Sequence, residues 1–230
     1  MNTQSSSYDV GLNRFFSKVY LKTALGIGVS AVVSFILATA LPQIPYMIYS
    51  NPIGILALLL VEVMICFMCS RRAYNGNGTS TMIWFIVYSV INAITLSAVF
   101  MIINDVKLIA EAFLVTAVTF VALSLYGHYT KRNLSSWRNF LFGTLIGVMI
   151  ALIVNLFLHS GAIGLLCNIV AVVLFAAYTA YDTQMIKSMY YSMNNNGEAS
   201  GLSTYGAMVL YMDFINMFIN LLYLFSDSDN

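Results

Sequence analysis

The stretch AMVLYMDFINMFINLLYLF, residues 207–225, is apolar almost throughout, with Asp213, Asn216 and Asn220 interrupting it. Its length matches the roughly 20 predominantly apolar residues that carry an α-helix across a bilayer. An ionisable side chain inside such a helix costs about 2.5 to 3.5 kcal/mol on insertion scales, so Asp213 marks a functional position. Gly206, Asn216 and Asn220 fall on the same helical face as Asp213, while Leu, Met, Phe and Ile occupy the others. The polar face should look into a bundle.

The rest of the chain supports that bundle. Of 230 residues 60% are hydrophobic and only 8% charged, and the mean hydropathy is +0.84, beyond what a soluble domain shows. Seven apolar runs predict spanning helices over about 21–41, 52–69, 81–103, 112–127, 140–158, 162–181 and 202–225. They use nearly the whole chain, so the expected architecture is a single all-α transmembrane domain. The first run has the length of a signal-peptide core but is followed by Pro42 and another span, which favours an uncleaved helix.

Positive charge orients the bundle. Arg14, Lys18 and Lys22 precede the first span, Arg71 and Arg72 follow the second, Lys131, Arg132 and Arg138 separate the fourth from the fifth, and Lys187 follows the sixth. The alternate loops and the tail Ser226 to Asn230 hold only Lys107. Short cytoplasmic loops hold the excess of Lys and Arg, so the N-terminus is expected in the cytoplasm and the C-terminus outside. The compact chain leans toward a bacterial inner membrane.

A net charge of +1 argues against a nucleic-acid partner. Cys66 and Cys69 form a CxxC without a second such pair or a nearby His, and they read as small residues of a helix wall. His128 and His159 are expected at the interface. Ser89, Asn92, Thr95 and Asn155 read as polar glue between helices, Gly143 and Gly147 as a close-approach motif, and Tyr46, Tyr49, Tyr190 and Tyr191 as interfacial belts.

Of the nine carboxylates, Asp9, Asp105, Glu111, Glu198, Asp227 and Asp229 belong to loops or tails. Glu62, Asp182 and Asp213 remain. Asp182 and Asp213 flank one polar loop around Asn195, and antiparallel helices leaving that loop would bring them to comparable depth on the cytoplasmic side. In contact, they would share one proton and act as a pH switch. Separate acids, each bonded to its own neighbours, are the other reading. Arg71 or Arg72 would neutralise one of them, or serve only as topogenic charge. Glu62 is either a waypoint for a cation or a hydrogen-bonding partner of a neighbouring helix.

The run Tyr181-Asp182-Thr183-Gln184, followed after a polar loop by Leu210-Tyr211-Met212-Asp213-Phe214-Ile215-Asn216-Met217-Phe218, resembles the paired signature of the Bax inhibitor family, also called the transmembrane Bax inhibitor motif family. The resemblance extends to the number of spans, the Arg pair after the second of them, and the topology. It implies two three-helix layers around a central seventh helix, and a pH-sensitive calcium leak governed by a hydrogen-bonded aspartate pair. Asp182 and Asp213 fall on those aspartates, and the family's arginine falls on Arg71 or Arg72. The loop CSRRAYNGNGTST is longer and richer in Asn and Gly than the family pattern, and the tail is short and acidic where animal members carry a basic one.

The expected function is therefore a calcium leak with no resident cofactor. Calcium is the permeant ion, Asp182 and Asp213 are its carboxylate ligands as well as the gate, and Asn216 and Glu62 lie along the path. The lipid bilayer, calcium and protons are the expected partners. A second reading is a non-conducting regulator that binds a membrane protease or another membrane protein. A remote third, an intramembrane aspartyl protease of the presenilin kind, fits poorly, because Leu210-Tyr211-Met212 replaces the Gly-x-Gly before its second Asp and no Pro follows Pro52. The chain reads as a conduit and not as an enzyme.

Overall fold

A computed structural model describes residues 3–192 and 198–228, with eight α-helices and one 3-10 turn among them. Asn195 and Asp229 lie outside the described residues, as do the side chains of Asp9 and Glu198. The helices are α1 (Thr3–Thr39), α2 (Gln43–Tyr49), α3 (Pro52–Tyr74), α4 (Gly78–Ile103), α5 (Val106–Tyr129), α6 (Arg138–Leu158), α7 (Gly161–Ser192) and α8 (Glu198–Ser228), with the 3-10 turn at Ser135–Trp137. All but α2 are long and apolar enough to cross a membrane. The exposed side chains of α3 and α6 include Ile53, Leu60, Met64, Phe67, Phe140, Ile150 and Phe157, the large apolar groups that suit lipid.

Local chemistry sets the helix ends. Asn51 caps α3 by accepting from Ile53 N at 2.9 Å, with Pro52 at the first helical position, where its missing N–H costs nothing. Asn77 accepts from Ser80 N to start α4, after Gly76 supplies the positive φ of the turn. Asp105 caps α5 through Lys107 N and Leu108 N, so this loop acid has a structural task. Asn155 accepts from Ser160 N at 3.0 Å and fastens the α6–α7 turn instead of gluing two spans.

Two helices run furthest beyond their apolar stretches. α1 begins well before residue 21 because Leu12, Phe15, Phe16 and Val19 repeat at helical spacing and are all buried. The polar residues between them stay outside. α7 continues past residue 181 to Ser192, which puts Asp182 in a helix interior instead of at its end.

The chain divides into two compact units. The first contains residues 1–104 and 187–211. Within it the α1 stripe continues through Thr23, Ser30 and Ser34, all buried. Lys22 is more than topogenic: its Nζ donates to Ser203 Oγ at 2.8 Å, Thr204 Oγ1 at 2.6 Å and the Ser200 carbonyl at 3.2 Å, tying α1 to the start of α8. The second unit contains residues 105–186 and 212–230. There Gly127 of α5 packs directly on the backbone of Ala180 in α7, and Phe113 and Phe120 of α5 meet the edge of Phe214 in α8 at 5.5 and 5.6 Å between ring centroids. α8 contributes to both units and is buried at 201–204, 206–211, 213–215, 217–218 and 221–222.

Candidate functional site

Three consecutive residues of α7 each reach a different part of the second unit. Asp182 meets the carboxyl group of Asp213 on α8 in a hydrogen-bonding contact. Thr183 donates to the Thr179 carbonyl and lies 3.0 Å from Ser124 Oγ on α5. Gln184 accepts from Leu134 N at 2.7 Å and donates to the Arg132 carbonyl at 2.8 Å, clamping the segment that joins α5 to the 3-10 turn. A helix carries successive side chains round its circumference, so one short run can hold three neighbours only if they surround it.

Both aspartates are inside the fold, Asp182 at 7% and Asp213 at 4% relative exposure. An ionised carboxylate only accepts hydrogen bonds. The contact between these two groups therefore exists as a hydrogen bond only while one of them carries a proton, and the pair counts one proton between two helices. Asp213 Oδ2 is buried with no protein N–H or other polar hydrogen donor on it among the described residues. Tyr178, one turn before Asp182, lies within electrostatic reach of both carboxyls, and Tyr181 is within reach of Asp182 and of Arg138 at the start of α6.

The aromatic contacts of α8 hold Asp213 in register. Phe214 follows it directly and is gripped by Phe113 and Phe120, while Phe218, one turn on, also meets Phe113 at 6.2 Å. Asn216 donates its Nδ2 to the Met212 carbonyl, and Asn220 donates likewise to Asn216. These bonds turn both amide nitrogens onto their own helix, occupy the Asn216 backbone carbonyl, and leave the Asn216 side-chain oxygen Oδ1 available to another group.

The other candidates sit elsewhere. Glu62 belongs to the first unit, where its Oε1 accepts from Asn92 Nδ2 and Thr95 Oγ1 at 3.3 and 3.2 Å. Arg71 and Arg72 occupy the last turn of α3, both exposed, and Arg72 donates to Ser80 Oγ at 3.3 Å. Cys69 is buried with its thiol directed at the Thr81 carbonyl. A Cβ added at Gly143 or Gly147 would meet nothing within 4 Å, so the close helix approach expected there occurs at Gly127 instead. Among the described residues no three His, Cys, Asp or Glu side chains converge on one point.

Sequence reasoning assigned Gln184 no role beyond its place in the signature and Lys22 none beyond orienting charge. A polar amide two residues beyond Asp182 in an uninterrupted helix was the available signal for Gln184. Its clamp predicts a measurable effect: in Gln184→Ala, trypsin cuts after Lys131 or Arg132 about thirtyfold faster than in the unsubstituted protein, because two hydrogen bonds of about 1 kcal/mol each no longer restrain the backbone. Equal cleavage rates would show that buried Leu134 alone holds the segment.

Known proteins resemble this chain over nearly its full length. Residues 12–230 match the family model described as "Inhibitor of apoptosis-promoting Bax1". The chain is 34% identical over 222 residues to an uncharacterized membrane protein of Streptococcus pyogenes serotype M1, covering 96% of both chains. It is 33% identical over 220 residues to the inner membrane protein YbhL of Escherichia coli strain K12, covering 94% of this chain and 93% of that one. An uncharacterized protein of Rickettsia prowazekii is 32% identical over 221 residues, with 96% of this chain and 92% of that one covered.

Proposed function

Because this chain belongs to the Bax inhibitor family, we propose that it is a pH-sensitive calcium leak channel, gated by the proton that Asp182 and Asp213 share. The observation that carries the reading is the contact between two buried carboxyl groups on α7 and α8. With the proton in place, that contact ties the two helices together. Without it, two like charges stand side by side in apolar surroundings, and they separate or take up a cation. Flux therefore rises as the pH rises.

Calcium suits such a site because it prefers several oxygen ligands. Asp182, Asp213, the Asn216 side-chain oxygen and water make a weak set, appropriate to a leak and unlike a store. The aspartates bind and release and cleave no bond, so the reading is not that of an enzyme.

The name of the Escherichia coli relative supports a place in a bacterial inner membrane. Nine of the ten Lys and Arg residues lie at the N-terminus or in alternate loops on one side, which favours a cytoplasmic N-terminus and an external C-terminus.

Purified protein in liposomes loaded with a calcium dye tests the reading. Calcium entry is expected to increase as the pH is raised from about 5 to about 8, the range in which proton-linked switches work. If well-folded protein passes no calcium at any pH, the channel reading falls. A regulator that binds a membrane protease or another membrane protein through its bundle surface then takes its place.

A further inference from the structure

The first unit holds a second acid inside a chain of hydrogen bonds drawn from α1, α3, α4 and α8. Glu62 Oε1 accepts from Asn92 Nδ2 at 3.3 Å. Asn92 Oδ1 accepts from the Tyr211 hydroxyl at 3.0 Å, and that hydroxyl lies 2.6 Å from Ser30 Oγ. Ser30 Oγ in turn is 2.8 Å from the Ser89 carbonyl oxygen. Ser30 and Tyr211 are fully buried and Asn92 is 8% exposed, so water does not readily complete the chain.

The hydrogens do not suffice for all three hydroxyl contacts. Ser30 and Tyr211 own one each, and the Ser89 hydroxyl, which also reaches Tyr211, places its own on the Phe85 carbonyl at 3.0 Å. The contacts Ser30 to Ser89, Ser30 to Tyr211 and Tyr211 to Asn92 need three. Two orderings resolve the shortage. In one, Ser30 donates to Tyr211, Tyr211 to Asn92 Oδ1, and Asn92 Nδ2 to an ionised Glu62, and the Ser30 contact to Ser89 is given up. In the other, the Asn92 amide turns over and its Nδ2 supplies the missing hydrogen to Tyr211, so that Tyr211 donates to Ser30 and Ser30 to the Ser89 carbonyl. Asn92 Oδ1 then faces Glu62, and two oxygens can hold that contact only if the carboxyl carries a proton. An amide has the same shape either way round, so the turn needs no repacking.

We propose that Glu62 is a second proton-binding site of this protein, distinct from the aspartate pair, and that uptake of its proton reverses the hydrogen-bond chain running through Asn92 and Tyr211 to Ser30. The groups facing Glu62 are Tyr49 from α2, which bonds Thr95, Tyr88 from α4, Tyr211 from α8 and the Ser30 hydroxyl behind it from α1, with Cys66 one turn along on α3. Tyr211 precedes Asp213 by two residues on the same helix. α8 thus carries the reporter of one acid and a member of the other acid pair.

An apolar carbodiimide tests this without any measurement of calcium. Dicyclohexylcarbodiimide takes up a protonated carboxyl group, whose proton and oxygen add across one C=N bond; acyl migration then leaves a stable acylurea that peptide mass spectrometry assigns to Glu62 or to either aspartate. Labelling of Glu62 in the intact protein in liposomes should fall as the pH rises. Ser30→Ala removes more bonds from the protonated ordering than from the ionised one, so half-labelling should move about half a pH unit or more to lower pH. Ser30 does not bond Glu62 directly, and a purely structural serine would leave the profile unmoved. Tyr211→Phe, which interrupts the chain at its centre, should abolish the sensitivity to Ser30→Ala. The proposal is overturned if Glu62 takes no label at any pH, or if the Ser30→Ala profile matches that of the unsubstituted protein or moves to higher pH.

Discussion

Asp182→Asn and Asp213→Asn proteins in liposomes pass calcium at the low rate that the unsubstituted protein shows near pH 5, and the rate stays there up to about pH 8. The reason lies in the hydrogen count. An asparagine amide both donates and accepts, so Asn at either position holds the remaining carboxyl whether or not that carboxyl is protonated. The tie between α7 and α8 no longer depends on a proton. In the unsubstituted protein, loss of the proton leaves two buried like charges in contact, and a repulsion of about 1.4 kcal/mol relieved between them corresponds to a factor of about ten. The flux at the alkaline end should therefore drop about tenfold in either variant. The double Asn variant should behave like the single ones, because two amides also hydrogen-bond each other. Variants that keep the full pH response would place the sensor elsewhere, and Glu62→Gln would be the next protein to measure.

The membrane class, the seven spans and the carboxylate pair were legible because each depends on a short-range or compositional signal. Apolar runs of spanning length announce helices, and an Asp inside one is costly enough to stand out. Asp182 and Asp213 were paired by their similar distance from one loop, which is all that antiparallel geometry needs. Helix ends were less legible. The α1 extension is amphipathic, with Leu12, Phe15, Phe16 and Val19 spaced along one face, and a hydropathy average over that segment dilutes them.

Side-chain partners across helices were the least legible layer. Lys22 looked like topogenic charge, and nothing near it in the chain announces Ser203 and Thr204. Tyr211 belongs to the quoted apolar stretch, yet its hydroxyl sits in the chain that leads to Glu62. Polar residues inside spans say that a partner exists, whereas the identity of that partner depends on helix rotation, and composition carries no such information. The glycines make the same point. Gly143 and Gly147 have the close-approach spacing and face open space, whereas Gly127 stands alone in sequence and touches a neighbouring backbone.

That contrast predicts the largest effect on stability. A Cβ added at Gly127 would run into the Ala180 carbonyl oxygen and come within 2.9 Å of its carbon, and both atoms belong to a helix backbone that no rotamer change can move. Gly127→Ala must therefore push α5 away from α7. The Ser124 contact to Thr183, one turn along the same interface, would stretch with it, and Asp182 sits beside Thr183. Overpacking of a close contact costs about 1 to 3 kcal/mol, which lowers the temperature of half-unfolding by about 2 to 12 °C in a chain of this length. Gly143→Ala and Gly147→Ala add the same methyl group where nothing lies within 4 Å, and they also remove a residue that weakens a helix by about 1 kcal/mol. Those two proteins should be as stable as the unsubstituted one or slightly more so. Heating the purified proteins in detergent and measuring the fraction that still elutes as a single species would compare all three. If Gly127→Ala melted with the other two, α5 and α7 would have to be separable at no cost, and the register that brings Asp182 to Asp213 would need another source.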